Sequence, residues 1–162
     1  MRLFRASRDS LVLQLGRDEK PVFVVLLGRY PVVPEAYQKL SRSRPSGGDA
    51  DEHQQLLEDA LREQRAELRT KIQEWLEARD RFRRVKGGFH FTLLRADTNW
   101  FLQVLNDVRV GSWLQLGAPE EMPGPDDVPK YNPAQLRAWL GMELSGMFQM
   151  ELLFALESSA PR

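Results

Sequence analysis

The chain has 162 residues, enough for one domain with its own core, and its 23 basic and 23 acidic side chains balance, so the whole molecule has no electrostatic preference for nucleic acid or anionic membranes. It contains no Cys, which excludes disulfides, thiolate metal sites and cysteine nucleophiles and fits a reducing compartment. The N-terminus has no apolar core of a secretory signal, and no apolar run reaches the roughly 18 residues a membrane span needs, so a cytoplasmic protein is expected.

Residues 2–6 and 10–15 predict a β-hairpin, because two apolar-alternating runs flank the turn-forming Ser7-Arg8-Asp9-Ser10. The run Pro21–Leu27 supports two readings. Its β-branched content favours a strand, whereas Asp18 as N-cap with Pro21 in the first turn favours a helix over 19–29. Pro34 can open a short helix through Tyr37 and Leu40. Residues 41–51 are polar and Gly/Ser-rich and predict a mobile linker within a single domain of residues 1–162.

Residues 52–84 predict one long amphipathic helix, with Leu57, Leu61, Leu68, Ile72, Trp75 and Phe82 on one stripe. At 1.5 Å per residue it would be roughly 50 Å long, so it must kink, overhang the domain or pair with a second copy. Its acidic start and basic end complement the helix dipole. The basic end, Arg79, Arg81, Arg83 and Arg84, is the one patch suggestive of nucleic acid. With balanced charge and no recognised nucleic-acid module around it, it reads instead as a solvated helix end or a surface for a protein partner.

Residues 89–93 alternate as a third strand, with His90 pointing away from Phe89 and Phe91. The only other histidine, His53, is remote in sequence, so His90 reads as a surface or half-buried residue rather than a metal ligand. Residues 97–117 predict the central helix, with Asp97 or Thr98 as N-cap and Gly117 as terminator. Trp100, Phe101, Val104, Leu105, Val108 and Leu116 form its apolar arc, on which Gly111 and Ser112 would admit another helix. Asn106, Asp107 and Arg109 interrupt that arc. Asp107 projects near its edge and Arg109 almost opposite, so the two look to other elements for partners. They are either polar groups that fix how the helix docks or part of a site.

Residues 118–129 hold four prolines and four carboxylates, without the spacing of a calcium loop, and predict an acidic surface loop; no metal or cofactor is expected. Asn132-Pro133-Ala134-Gln135 is a helix start with N-cap, first-turn proline and capping-box glutamine, and the helix should run from 133 to about 157. Leu136, Leu140, Leu144, Met147, Phe148 and Phe154 make its expected main face, with Trp139, Met142, Met150 and Leu153 on a second. Glu143 and Glu151 project near the main face, so arginine partners are expected, with Arg109, Arg95 and Arg69 the first candidates. The two-faced apolarity suggests a partner surface or a homodimer, and Met142 and Met150 are candidates for it.

The run Trp100-x4-Leu105-Asn106-Asp107-x-Arg109, ending in Leu116-Gly117, resembles an uncharacterised bacterial family, a domain of unknown function. Pro34-Glu35-Ala36-Tyr37 and Trp139-Leu140-Gly141 look similar to further segments of that family, in the same order. The chain departs from the family after Trp139-Leu140-Gly141 and after Arg109. In actinobacteria the family's genes tend to neighbour the gene for ClpS, the adaptor of the Clp protease. The resemblance implies a helix at 19–29 and a neighbourhood, but no reaction.

The expected fold is therefore mainly α (α+β), with about four helices and a small antiparallel sheet made from the N-terminal hairpin and one later strand. Two functions follow. The first is a non-enzymatic interaction or adaptor module, linked to regulated proteolysis through the resemblance alone. The second is a small ligand-binding domain or enzyme with Asp107, Arg109, Glu143 and His90 converging on a pocket. The chain lacks a Gly-rich phosphate loop and a metal-spaced His/Cys set, which favours the first.

Overall fold

The computed structural model describes residues 1–34, 48–121 and 123–159, with backbone alone for 48–54 and 125. The short helix expected at 34–40 and most of the expected linker lie outside those residues.

Strands β1 (Arg2–Ala6) and β2 (Ser10–Gly16) pair antiparallel with a register shift between Leu3 and Arg5. Their turn is closed by the Ser7 amide donating to the Ser10 carbonyl at 2.8 Å. In β2 the alternation is clean: Leu11, Leu13 and Leu15 are fully buried on one face, and Val12 and Gln14 occupy the other. Strand β3 (Arg83–Val85) and strand β4 (Gly88–Leu94) complete a four-stranded antiparallel sheet in the order β1-β2-β4-β3. Leu11, Leu13 and Leu15 of β2 stand opposite Leu93, Phe91 and Phe89 of β4, so one sheet face is continuous apolar surface.

Helix α1 (Glu19–Gly28) resolves the ambiguous run as a helix. Asp18 is its N-cap residue without a side-chain cap bond; Glu19 folds back instead, accepting from the Gly16 amide at 2.7 Å and the Met1 ammonium at 2.7 Å. Helix α2 (Gly48–Glu77) starts inside the expected linker and stops seven residues before the expected end at 84. The basic run is thus not a helix terminus. Residues 83–85 are drawn into the sheet as an edge strand, because Phe82 is pulled against Trp75 at 5.8 Å and the positive φ of Gly87 allows a tight turn into β4. Gly88 is required as well, since a Cβ there would strike the Leu15 carbonyl. Among the described side chains of α2, the buried ones, Ile72 and Trp75, lie in its C-terminal half, and Leu56 and Leu57 are exposed.

Helix α3 (Thr98–Gln115) packs along helix α4 (Pro133–Ser158), and α4 in turn meets β1. Trp100, Phe101, Val104, Leu105 and Val108 are buried, and Gly117 ends α3 with φ 91°. Gly111 does not receive a helix: Val32 crosses it, 2.6 Å from where a Cβ would sit, while Ser112 faces Gly141 of α4. The core gathers Phe23, Trp75, Phe82, Phe91, Phe101 and Phe148, with Phe23 edge-on to Phe148 at 5.0 Å.

Helix α4 begins as expected, with the Asn132 side chain accepting from the Ala134 and Gln135 amides at 2.9 Å. Its buried face, however, is Ala138, Gly141, Met142, Ser145, Phe148, Leu152 and Ala155. Of the expected main face, Phe148 is buried and Leu136 and Leu144 are half-buried, while Leu140, Met147 and Phe154 are turned toward solvent. Small residues decide the orientation, because they let α4 approach α3 closely, and packing density outweighs the bulk of individual side chains.

Candidate functional site

The interrupting polar residues of α3 take separate partners. Asp107 accepts from the Val32 amide at 2.6 Å, the Val33 amide at 3.2 Å and Arg65 at 3.2 Å. The Arg65 guanidinium also donates to the Val33 carbonyl. Both side chains of this pair are largely buried. Asp107 therefore ties residues 32–33 and α2 to the central helix. The Tyr30 hydroxyl beside it is raised above its usual value by burial first and then by the Asp107 charge, against Arg65. Beside the pair lies a hollow of about 360 Å³, lined also by Gln64, Gln103 and Asn106.

Arg109 donates to Asn106 of its own helix at 2.9 Å. Glu143 is exposed and Glu151 half-buried on α4, and neither meets an arginine among the described residues. The three expected donors are placed otherwise. Arg109 serves Asn106, Arg69 is exposed on α2, and Arg95 donates to the Ser7 carbonyl at 3.1 Å and the Ser159 carbonyl at 2.8 Å. Arg95 thereby ties the β-hairpin turn to the end of α4. Arg65 was missed, though it left a signal: it is the one basic residue on the apolar stripe between Leu61 and Leu68.

His90 lies on the outer sheet face beneath the Phe4 ring, 4.1 Å between centroids, and Nδ1 is buried without a partner among the described residues. Burial first, then the Arg83 charge, pushes the imidazole below its usual value. It lines a hollow of about 380 Å³ with Arg5, Asp80, Arg81 and Arg83. That hollow shares no lining residue with the one at Asp107. Arg81 is engaged, donating to the Trp75 carbonyl at 2.9 Å with its guanidinium over the indole, while Arg79, Arg83 and Arg84 are exposed.

A larger concavity lies elsewhere. A groove of about 1010 Å³ runs between α1 and α4, its walls made by Pro21, Val22, Val25 and Leu26 on one side and Leu140 and Leu144 on the other. Arg29, Gln115 and Arg137 sit at one end. Arg29 donates to Gln115 Oε1 at 3.0 Å and the Arg137 carbonyl at 3.4 Å. Burial, then the neighbouring Arg137, lowers the pKa of its guanidinium.

Beyond the groove, the outer face of α4 continues with Met147, 41% exposed, Met150, 72%, and Phe154, 66%. Met142, expected on the surface, is buried against α3, since it falls on the small-residue side. The acidic loop is held down by two indoles, Trp113 donating to the Pro119 carbonyl at 3.1 Å and Trp139 to the Pro123 carbonyl at 3.2 Å. No group of three or more His, Asp or Glu side chains is placed to hold a metal ion among the described residues. Among them, too, no helix is long and apolar enough to cross a membrane. In comparisons with known proteins, no family model, curated protein or solved structure matches the chain.

Proposed function

We propose that the protein is a non-enzymatic interaction or adaptor module whose partner surface is the outer apolar face of α4. One observation carries this reading. Leu136, Leu140, Glu143, Met147, Met150 and Phe154 recur at alternating spacings of four and three residues, the spacing of a helix–helix seam, and all but the half-buried Leu136 are exposed. An exposed and mainly apolar stripe of this kind, interrupted by Glu143, marks a surface that meets another molecule. Asp107 supports the reading from the other side: its bonds go to the chain's own amides and to Arg65, a tethering role.

The seam also permits two copies to pair antiparallel. Leu140 would then face the partner's Met150, and Glu143 the partner's Met147, which keeps the two Glu143 carboxylates apart. The resemblance to the family encoded near ClpS makes a Clp component the protein partner to look for, in a cytoplasmic setting.

The test is capture from lysate of the source organism with tagged protein, with nuclease and at raised salt, against the double variant Met150→Glu, Phe154→Glu. A protein partner retained by the wild type and lost by the variant is expected. Capture that the variant leaves unchanged, or that nuclease removes, would contradict the reading. Light scattering on both proteins separates self-pairing from a foreign partner.

A further inference from the structure

The groove between α1 and α4 shares Leu140 with the seam but is otherwise built of different residues. Val22 and Val25 are 37% and 64% exposed on one wall, and Leu140 is 39% exposed on the other. At one end stand Arg29 and Arg137. Among the described residues, neither guanidinium meets a carboxylate, and no acidic residue lines the groove. In a chain whose charges balance, two cations with no anion at one end of an apolar trough form a polarised surface. The first amides of α4 are already taken by Asn132, so the positive charge available there is that of the arginines.

We infer that this groove binds a peptide segment of a partner protein, one that lays large apolar side chains between α1 and α4 and a carboxylate against Arg29 and Arg137. This rests on the reading of the protein as an interaction module and adds a second surface, with the chemistry of its occupant. Two considerations select a peptide. The volume of the groove, about 1010 Å³, stands at the top of the range for small-molecule sites, roughly 300–1,000 Å³. Its two walls are helices, the geometry in which an amphipathic segment docks by anchors on one face. A carboxylate between the two guanidiniums would accept charge-assisted hydrogen bonds and offset the Arg137 repulsion that, after burial, lowers the pKa of Arg29.

The test uses the full chain, immobilised, and a random linear peptide library displayed on phage. Enriched sequences should combine large apolar residues with Asp or Glu. A synthetic peptide from that pool should bind about tenfold or more weakly to Arg137→Glu, the loss of one charge-assisted contact. It should not bind Val25→Glu, and its affinity for Met150→Glu should be unchanged. Both groove positions are exposed, so the variants keep the fold; should Val25→Glu lose its helical circular dichroism, Val22→Glu replaces it.

No enrichment, enriched peptides without an acid, or affinity indifferent to Arg137→Glu would overturn the inference. So would palmitate binding that Val25→Glu abolishes with no peptide enriched, which would make the occupant a small amphiphile. A dimer that Val25→Glu dissociates would make it a second copy and overturn the inference too. Because Met150→Glu lies outside the groove, loss of the seam interaction and failure of the groove are read separately.

Discussion

Asp107 accepts three bonds from other parts of the chain. It holds residues 32–33 to α3 and anchors α2 through Arg65. Asp107→Ala would leave two amides and a largely buried guanidinium without their acceptor, at a cost of about 2–4 kcal/mol in urea unfolding. A loss under about 0.5 kcal/mol would show that these bonds are not held in solution. His90 gives a prediction in pH. Its folded pKa is depressed, so neutral imidazole is favoured in the fold. That contribution is fully present above the usual imidazole value and is lost as pH falls through the folded value. His90→Phe should therefore lose less stability than the wild type between neutral pH and about pH 4, measured by thermal melts. Parallel loss in both proteins would contradict the assignment. That Asp107 needed a partner off its own helix was readable from helical spacing. Which amides and which arginine it meets was not, since they come from residues about 75 and 42 positions away.

At the scale of elements, helices α3 and α4, the N-terminal hairpin and β4 were legible, because turn residues and periodicity agree there, whereas the continuous apolar run of α1 left helix and strand both open. Two further features were misread. The basic run reads as a helix end by charge, yet tertiary contacts of Phe82 and the Gly87-Gly88 turn make it an edge strand. The face of α4 was misjudged because summed hydrophobicity favours Leu140, Met147 and Phe154. The contact with α3 is instead set by Gly141, which lies so near Arg29 and Ser112 that a Cβ would collide with both. Two methionines test this rotation. Met142→Ala should cost about 2–5 kcal/mol as a buried cavity. Met150→Ala should stay within about 0.5 kcal/mol, as surface substitutions do. Similar costs at the two positions would mean that the helix is turned differently.

The whole molecule divides its duties by surface. One sheet face and one face of α4 enclose the aromatic core; the opposite sheet face carries His90 and basic residues, and the outer side of α1 and α4 is apolar. This last division is invisible to composition, because a side chain counts as hydrophobic whether it faces the core or solvent. On the proposed reading, changes along Met147, Met150 and Phe154 should leave the melting temperature nearly unchanged while altering association. The most direct measurement places a photo-crosslinking amino acid at position 150, with position 84 on the basic edge strand as control, and irradiates each protein in lysate of its source organism. Adducts from position 150 and not from position 84 are the result this account predicts. Adducts from position 84 alone, or from neither, would contradict the assignment of α4 as the partner surface.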